Sequence, residues 1–515
     1  MLERMYIQQS SYRGATRIRI MKQAHVNGAW KKQLCQHVGT AHDELERTVL
    51  MARAREIVDT KRHPGQLPLT FAGNDALGSQ VKMVGEYWEG AELVLGTLFD
   101  ALCISMRASD LRLLRNLVIA RVMNPVSKRR TASWLAQCLH ASYTEDDIYR
   151  FMDRLQARKP QVTKAMLQLI TTRYPSSLQY LLYDVTSVHW ESEEEDIDTL
   201  EAAGLRKRGY SKDHREDLPQ VVLGLAVNTL GMPLDCQLYS GNTYEGRTLV
   251  SGINAVRKAV GLHQVTVVAD AGMLTDANLK ALEGNATCYI VGARLRQLAR
   301  STQAMVLEHD YAAEPIWEIP LGGRRLVLSY SAKRAKRAER GREQSLARLQ
   351  GLLARNRAIR KHPFLEVTIA GQPRLNQEAI GQAARWDGIK GYLSNNPALS
   401  AEEVIARYAE LYRVEQSFRM SKSDLRIRPA FHHLRERIQA HVLICMVSLC
   451  IMRVLEESIR PLGMTLGDGI RTLEYAKGAI LDLKGKSYTV PPLYTPSMEG
   501  IIEALTTAYG IRTSI

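Results

Sequence analysis

Three acidic residues stand where an ionised side chain is costly. Asp184 interrupts LQYLLYDVTSVHW (178–190), a run of Leu, Tyr and Val that follows the breaker Pro175 to Ser177 and reads as a buried strand. Burial disfavours the charged carboxylate unless a cation or hydrogen bonds compensate. Asp184 therefore reads as a metal ligand or paired acid, or as a strand-end Asp capping a local turn with Thr186 and Ser187. Asp270 closes a second apolar strand, Gln264 to Asp270, before the ADAG break, where Asp also serves as a helix N-cap. Glu415 belongs to a strongly helical stretch, Glu402 to Leu425, with Ser400 as its N-cap. The inward stripe of that helix runs Val404, Tyr408, Leu411, Glu415, Phe418, Lys422 and Leu425, so Glu415 is expected to face the core side. Tyr408, Glu415 and Lys422 lie seven apart and share one face; the plainer alternative is an ion-paired amphipathic Glu.

The elements between these acids have a recognisable order. After the Asp184 strand come an acidic patch, Glu191 to Asp198, read as a solvated loop, and two β-runs, Gln220 to Val227 and Pro233 to Leu238, turning at Asn228 to Gly231. A helix (Arg247 to Val260), the Asp270 strand, a helix (Asp276 to Glu283) and a strand (Cys288 to Ala293) follow. A three-strand meander, then helix, strand, helix, strand, predicts a ribonuclease-H-like α/β core. In that order the first and fourth strands are neighbours, which brings Asp184 beside Asp270. Two adjacent carboxylates repel unless a divalent cation sits between them.

The remainder divides around this core. Residues 1–80 form a mixed region, with strand-like Arg17 to Met21 and Trp30 to Val38, a helix from His42 to Asp59 and a break at KRHPG (61–65). Residues 81–172 read as helical, giving a mainly helical N-terminal region with VSKRRTASWLAQCL (126–139) and TEDDIYRFMDRLQARK (144–159) as either a DNA-binding helix-turn-helix or an ordinary helical hairpin. Thr144 and Asp147 have the spacing of a capping box. The catalytic core spans 173–296 and 386–455, interrupted by an insertion at 297–385 that is β-rich and carries a basic helix, with 456–515 as a C-terminal region. The insertion holds a hairpin candidate, Trp317 to Tyr330, turning at Gly322 and Gly323.

Bulk composition narrows the partners. Over 515 residues, 69 Lys and Arg against 54 Asp and Glu give a net charge of +15, which favours a polyanion, nucleic acid first. The stretch Arg324 to Lys361 holds thirteen Lys and Arg but only Glu339 and Glu343, which reads as a contact surface rather than merely a solvated helix. Seven cysteines without a C-x-x-C pair argue against a disulfide framework or a zinc site. The first residues lack a signal-peptide core, and the most apolar stretch, Val442 to Met452, is shorter than the roughly twenty residues of a membrane span. The expectation is a cytoplasmic, thiol-reduced protein with no membrane partner.

These blocks are familiar as a set. Tyr408, Glu415 and Lys422, the run VEQSFRMSKSDLRIRPAFHH (414–433), and the blocks YDVTS, GYSKDHREDLPQVVLGL, SGNTYEGRTL and VVADAGM resemble the DDE transposases of bacterial insertion sequences. The similarity is to the group with a β-rich insertion and a Y-(2)-R-(3)-E-(6)-K signature. One departure is plain: Leu411 stands where the signature has Arg, and Arg413 is displaced from it.

The resemblance implies a nucleoid-associated bacterial enzyme that cuts element ends and joins them to target DNA. It implies Asp184, Asp270 and Glu415 as catalytic residues holding two Mg²⁺ ions, with Mn²⁺ able to substitute. Lys422 would contact a phosphate near the cleaved end with Tyr408 beside it. Arg419 and the basic-helix residues Lys333, Arg334, Lys336 and Arg337 would touch DNA as well. Trp317 would either stack on an unpaired base or pack in the hairpin face. The implied partners are double-stranded terminal repeats, target DNA and a second copy of the chain. Rival readings are a ribonuclease-H-like nuclease that cuts without joining, and a non-catalytic DNA-binding repressor from a decayed element.

Overall fold

The computed structural model describes residues 4–12, 14–26, 29–62, 81–191, 193–199, 203–212, 215–260, 265–273, 275–355, 362–368, 372–428, 432–483 and 485–509. Residues 63–65 of the expected break, 213–214 of the GYSKDHRED block, 264 of the Asp270 strand, 356–361 of the basic run and 429–431 of the R-P-A-F run lie outside the described residues. Strands are β1 to β16 in chain order. Two compact units form: one of residues 170–422 and 428–431, the other of 1–169, 423–427 and 432–515.

The unit with the acidic residues is built on one eight-stranded mixed sheet. β5 (Tyr180–His189), β6 (Gln220–Val227) and β7 (Pro233–Ser240) form an antiparallel meander. β8 (Thr266–Ala269) and β9 (Tyr289–Ala293) run parallel to β5 on its other side, giving the order β7-β6-β5-β8-β9. All eight residues of β6 are buried, and β5 is buried except at Asp184 and His189, so these strands read as apolar runs rather than alternating ones. The β6–β7 turn falls where expected. Asn228 Oδ1 accepts from the N–H groups of Leu230 (3.0 Å) and Met232 (2.9 Å), and Gly231 takes a φ of +77° that side-chain-bearing residues avoid. The helices Leu249–Val260 and Asp276–Gly284 fill the two crossovers.

Residues 316–394 lengthen this sheet. The hairpin of β10 (Ile316–Leu321) and β11 (Arg324–Tyr330) turns at Gly322 and Gly323, and β11 pairs with β14 (Ile389–Ser394), itself antiparallel to β9. The basic helix is Ala332–Ala354, followed by the small pair β12 (Leu365–Val367) and β13 (Pro373–Leu375).

Two expectations fail locally. The acidic loop after β5 is not merely solvated: Asp196 accepts from the N–H groups of Leu205 (3.2 Å) and Arg206 (2.8 Å) and from the Arg206 side chain (2.7 Å). Backbone donors that no local pattern announces hold it in place. The stretch Glu402 to Leu425 is not one helix. It divides into Ala401–Ala409, a turn at Glu410 and Leu411, Tyr412–Arg419, and a π-helical turn Met420–Asp424.

In the other unit, β1 (Arg4–Tyr12), β2 (Ala15–Val26) and β3 (Ala29–Ala41) form a meander. The helix Glu44–Arg62 packs on it through Ala54, Ile57 and Val58. Helices Ala108–Met123, Lys128–Cys138 and Glu145–Leu155 follow, the last opened by the Thr144–Asp147 capping box. The region expected to be helical also contains a strand. β4 (Val81–Tyr87) pairs with β15 (Gly478–Leu483), which pairs with β16 (Lys486–Val490). Its partner is almost four hundred residues away, so local periodicity could not reveal it. The eleven-residue apolar stretch belongs to a 25-residue helix, Arg435–Ile459. That helix, continued to Leu462, is long and apolar enough to cross a membrane. However, 94% of its most apolar window is buried inside the protein, as for a core helix apolar on all sides.

Candidate active site

Asp184 and Asp270 come from neighbouring parallel strands. β5 and β8 are in register with Tyr183 opposite Ala269, so Asp184 and Asp270 are the next residues along each chain. Asp270 is the first residue past the carboxyl end of β8 and is exposed, whereas Asp184 lies within β5 and is largely covered. The apolar strands bury Asp184 and push its carboxyl up to about 6; Lys212 and the Val185 N–H, 2.7 Å from Oδ1, pull the other way. Neither local alternative accounts for the pair. The carboxylate of Asp184 accepts from the next N–H along the same extended strand, so it closes no turn. Asp270 precedes only the 3₁₀ turn Ala271–Met273.

Two residues that sequence reasoning did not single out complete the surroundings of Asp184. Lys212 Nζ lies 2.9 Å from Glu245 Oε1, 3.8 Å from Asp184 Oδ1 and 2.8 Å from the Val185 carbonyl oxygen. The Lys212 proton is held more firmly than usual: burial opposes this, and Asp184 and Glu245 outweigh it. Both residues sit in blocks that stood out, GYSKDHRED and SGNTYEGRTL. A lone Lys or Glu in a polar loop, however, carries no periodic signal.

The Asp270 side is built by aromatic residues and another lysine. Tyr408, from helix Ala401–Ala409, donates from its hydroxyl to Asp270 Oδ1 at 2.9 Å. Burial, then the Asp270 charge, push the Tyr408 phenol well above its ordinary range, so it remains a donor. Gly292 makes the approach possible: a Cβ there would stand 2.5 Å from the Tyr408 hydroxyl. Lys390 of β14, a third residue that sequence reasoning passed over, lies with its ammonium 4.5 Å from the Tyr408 ring centroid. Its proton affinity is lowered by burial and by Arg334, while Asp270 and Glu415 act in the opposite sense.

Glu415 departs from the expectation. It lies in Tyr412–Arg419, which packs over β5 and β6, but its side chain is exposed rather than core-facing. Val404, Tyr408, Leu411, Phe418 and Leu425 of the expected stripe are buried, as are Val414 and Ser417, whereas Glu415 on the same stripe is exposed. Leu411, at the signature Arg position, is buried. Lys422 sits half-buried in the π-helical turn, and Arg419 is exposed. Among the described residues no three Asp, Glu, His or Cys side chains are disposed as a metal shell as they stand. The structure thus brings together Asp184 and Asp270 and adds Glu245, while Glu415 is exposed and acts, with Asp270, on the charge of Lys390. The carboxylate oxygens of the aspartate pair fit a hard divalent cation, and the Lys212 ammonium already lies between Asp184 and Glu245.

The basic helix is not uniformly available. Lys333, Lys336 and Arg337 are exposed, but Arg334 donates to the Ser329 carbonyl (2.8 Å), the Ser329 hydroxyl (3.0 Å) and the Gly388 carbonyl (3.0 Å). Arg342 pairs with Asp387 at 2.6 Å, which pins the helix to the start of β14. Trp317 stacks on His309 at 4.2 Å within a hydrophobic cluster, so packing in the hairpin accounts for it.

The molecule is thus an α/β protein whose mixed sheet carries a carboxylate cluster where its central parallel strands meet. The sequence model of the family described as Transposase DDE domain matches residues 175–451, more than half of the chain. The chain belongs to this transposase DDE-domain family, and its activity is that of a DNA transposase. None of the curated proteins compared with it matches. Among solved structures it is similar to the cryo-EM structure of a piggyBac transposase synaptic complex with hairpin DNA, at 10% identity over 75% of this chain and 77% of that one. The TM-score is 0.37, too low to bear on fold or function. DDE transposases generally use divalent metal ions.

Proposed function

We propose that the chain is the transposase of a bacterial insertion sequence, cutting the element's ends and joining them to target DNA from a ribonuclease-H-like core. The observation that carries this reading is the placement of Asp184 and Asp270 side by side across β5 and β8. The strand order β7-β6-β5-β8-β9, with three antiparallel and two parallel members, supports the core assignment.

Asp184 and Asp270 would hold divalent ions, with Glu415 as the third ligand once its exposed side chain turns toward them. Bound Mg²⁺ or Mn²⁺ would supply charge stabilisation to the attacking and leaving oxygens of an in-line phosphoryl transfer. Tyr408 fixes the Asp270 carboxylate by donating to it, and Lys390 adds positive charge on the same side. Lys422 and Arg419 would meet phosphates near the cleaved end, with Lys333, Lys336 and Arg337 holding the flanking backbone. Each element has two ends to process, so two copies of the chain would act together.

The test is incubation of the chain and its Asp184→Asn variant with DNA bearing the element's terminal repeats, a target plasmid and Mg²⁺. Cutting and joining by the native chain alone is expected. Cutting without joining would reduce the activity to that of a nuclease, and equal cutting by both proteins would remove Asp184 from the chemistry.

A further inference from the structure

The position between Asp184 and Glu245 is already filled by a cation that belongs to the chain. An ammonium has three donors. Here one meets Glu245 at 2.9 Å and another the Val185 carbonyl at 2.8 Å, while the Asp184 carboxylate stands 3.8 Å away. The backbone is anchored as well, since the Lys212 N–H donates to Ser187 Oγ at 3.3 Å. Lys212 is thereby tied to β5 at two points while its side chain remains partly open to solvent, at 36%. Asp184, Glu245 and Asp270 all act on its charge.

We propose that Lys212 is a built-in stand-in for the divalent cation, holding the carboxylates of Asp184 and Glu245 in the metal-free protein and giving way when the metal arrives. This rests on the metal-dependent reading above. The largely covered carboxylate of Asp184 on β5 and that of Glu245 in the 3₁₀ turn Glu245–Arg247 both act on one ammonium, which supplies the counter-ion that lets both stay charged. A divalent ion bound to Asp184 would lie within a few ångströms of that ammonium, and like charges so close repel strongly. The lysine stem can respond because it is flexible and carries a point charge, whereas an arginine fork would be fixed more rigidly on its partners. Lys212 is accordingly a positioning residue: it keeps the carboxylates apart and oriented before the metal binds, and it competes with the metal for them.

The experiment compares the native chain with Lys212→Met and Lys212→Arg, without DNA, by calorimetric titration with Mn²⁺ and thermal unfolding in EDTA. Lys212→Met is expected to bind Mn²⁺ about tenfold more tightly, because the internal competitor is gone, and to unfold at lower temperature in EDTA. Lys212→Arg should unfold near the native temperature in EDTA but bind Mn²⁺ several-fold more weakly than the native chain, because the fixed fork does not give way; Mn²⁺ binding by Lys212→Arg tighter than native also overturns the proposal. Equal or weaker Mn²⁺ binding by Lys212→Met overturns the proposal. A second measurement needs no variant: labelling of Lys212 in the native chain by acetic anhydride, read by mass spectrometry, should rise several-fold when Mg²⁺ replaces EDTA. A label that stays level or falls also overturns it. Failure of the underlying reading looks different. Native protein that binds no Mn²⁺, or an Asp184→Asn variant that binds it as well as the native chain, would remove the metal site itself whatever Lys212 does.

Discussion

The hydroxyl of Tyr408 donates a 2.9 Å hydrogen bond to Asp270, joining a helix of the chain's second half to the residue that ends β8. A charge-assisted bond of this kind contributes roughly 1.5–3 kcal/mol. Tyr408→Phe should therefore lower the affinity for Mn²⁺ by about tenfold or more while the fold persists. Cleavage assayed at limiting and at saturating Mn²⁺ would check it. The defect should be largest when metal is scarce, and one independent of metal concentration would place the role of Tyr408 elsewhere.

Gly292 is the space that this bond uses. A methyl group there would stand 2.5 Å from the Tyr408 hydroxyl and 3.1 Å from the Cβ of Ala271. Gly292→Ala is expected to cost about 1–3 kcal/mol in urea unfolding, from overpacking, and to reproduce the metal defect of Tyr408→Phe. Combining the two substitutions should then add little to the metal defect, because both act on one contact.

Asp184 gives a pH dependence with a definite sign. Its folded carboxyl is pushed up to about 6, chiefly by burial, whereas the unfolded chain releases that proton near the ordinary aspartate value of 3.8. Between these values the folded state binds the proton and the unfolded state does not, so stability of the metal-free protein falls as pH rises through this window and stays lower above it. Asp184→Asn cannot ionise. In EDTA at pH 7.5 it should be more stable than the native chain by on the order of 1–3 kcal/mol, with the gap closing toward pH 4. Urea denaturation of both proteins across that range measures the gap, and a variant less stable at pH 7.5 would contradict the assignment.

Glu415 is exposed, so its substitution separates chemistry from folding. Glu415→Gln should change the unfolding free energy by no more than about 0.5 kcal/mol. End cleavage should nevertheless fall by at least about a hundredfold if the residue turns inward as the proposed third ligand. Unchanged cleavage would leave the aspartate pair without Glu415 and direct attention to Glu245.

The basic helix should show two kinds of arginine and lysine. Replacing Lys333, Lys336 and Arg337 with Ala should weaken DNA binding and reduce the log–log salt slope by roughly 2–3, one released counter-ion per lost phosphate contact. Arg334→Ala should instead lower stability, because its guanidinium is spent on Ser329 and Gly388. Fluorescence anisotropy at several salt concentrations, alongside unfolding curves, distinguishes the two.

Strands β5 to β9, the two crossover helices and the neighbourhood of Asp184 and Asp270 were legible in the order of residues alone. Buried strands must be apolar, Asn228 and Gly231 carry a local turn code, and a parallel crossover leaves little choice of strand order. The order of residues also marked Tyr408 and the acids by residue type, since polar groups among apolar ones are conspicuous. The rest came from contacts made in three dimensions. The tertiary structure divided the Glu402 to Leu425 helix by a turn at Glu410 and Leu411, and it left Glu415 exposed although Leu411 and Phe418 on the same stripe are buried. It paired β4 with β15 across the length of the chain, and it set Lys212 between Asp184 and Glu245. Those contacts depend on distance in space between residues that share no local pattern, and periodicity records only what a chain does with its near neighbours.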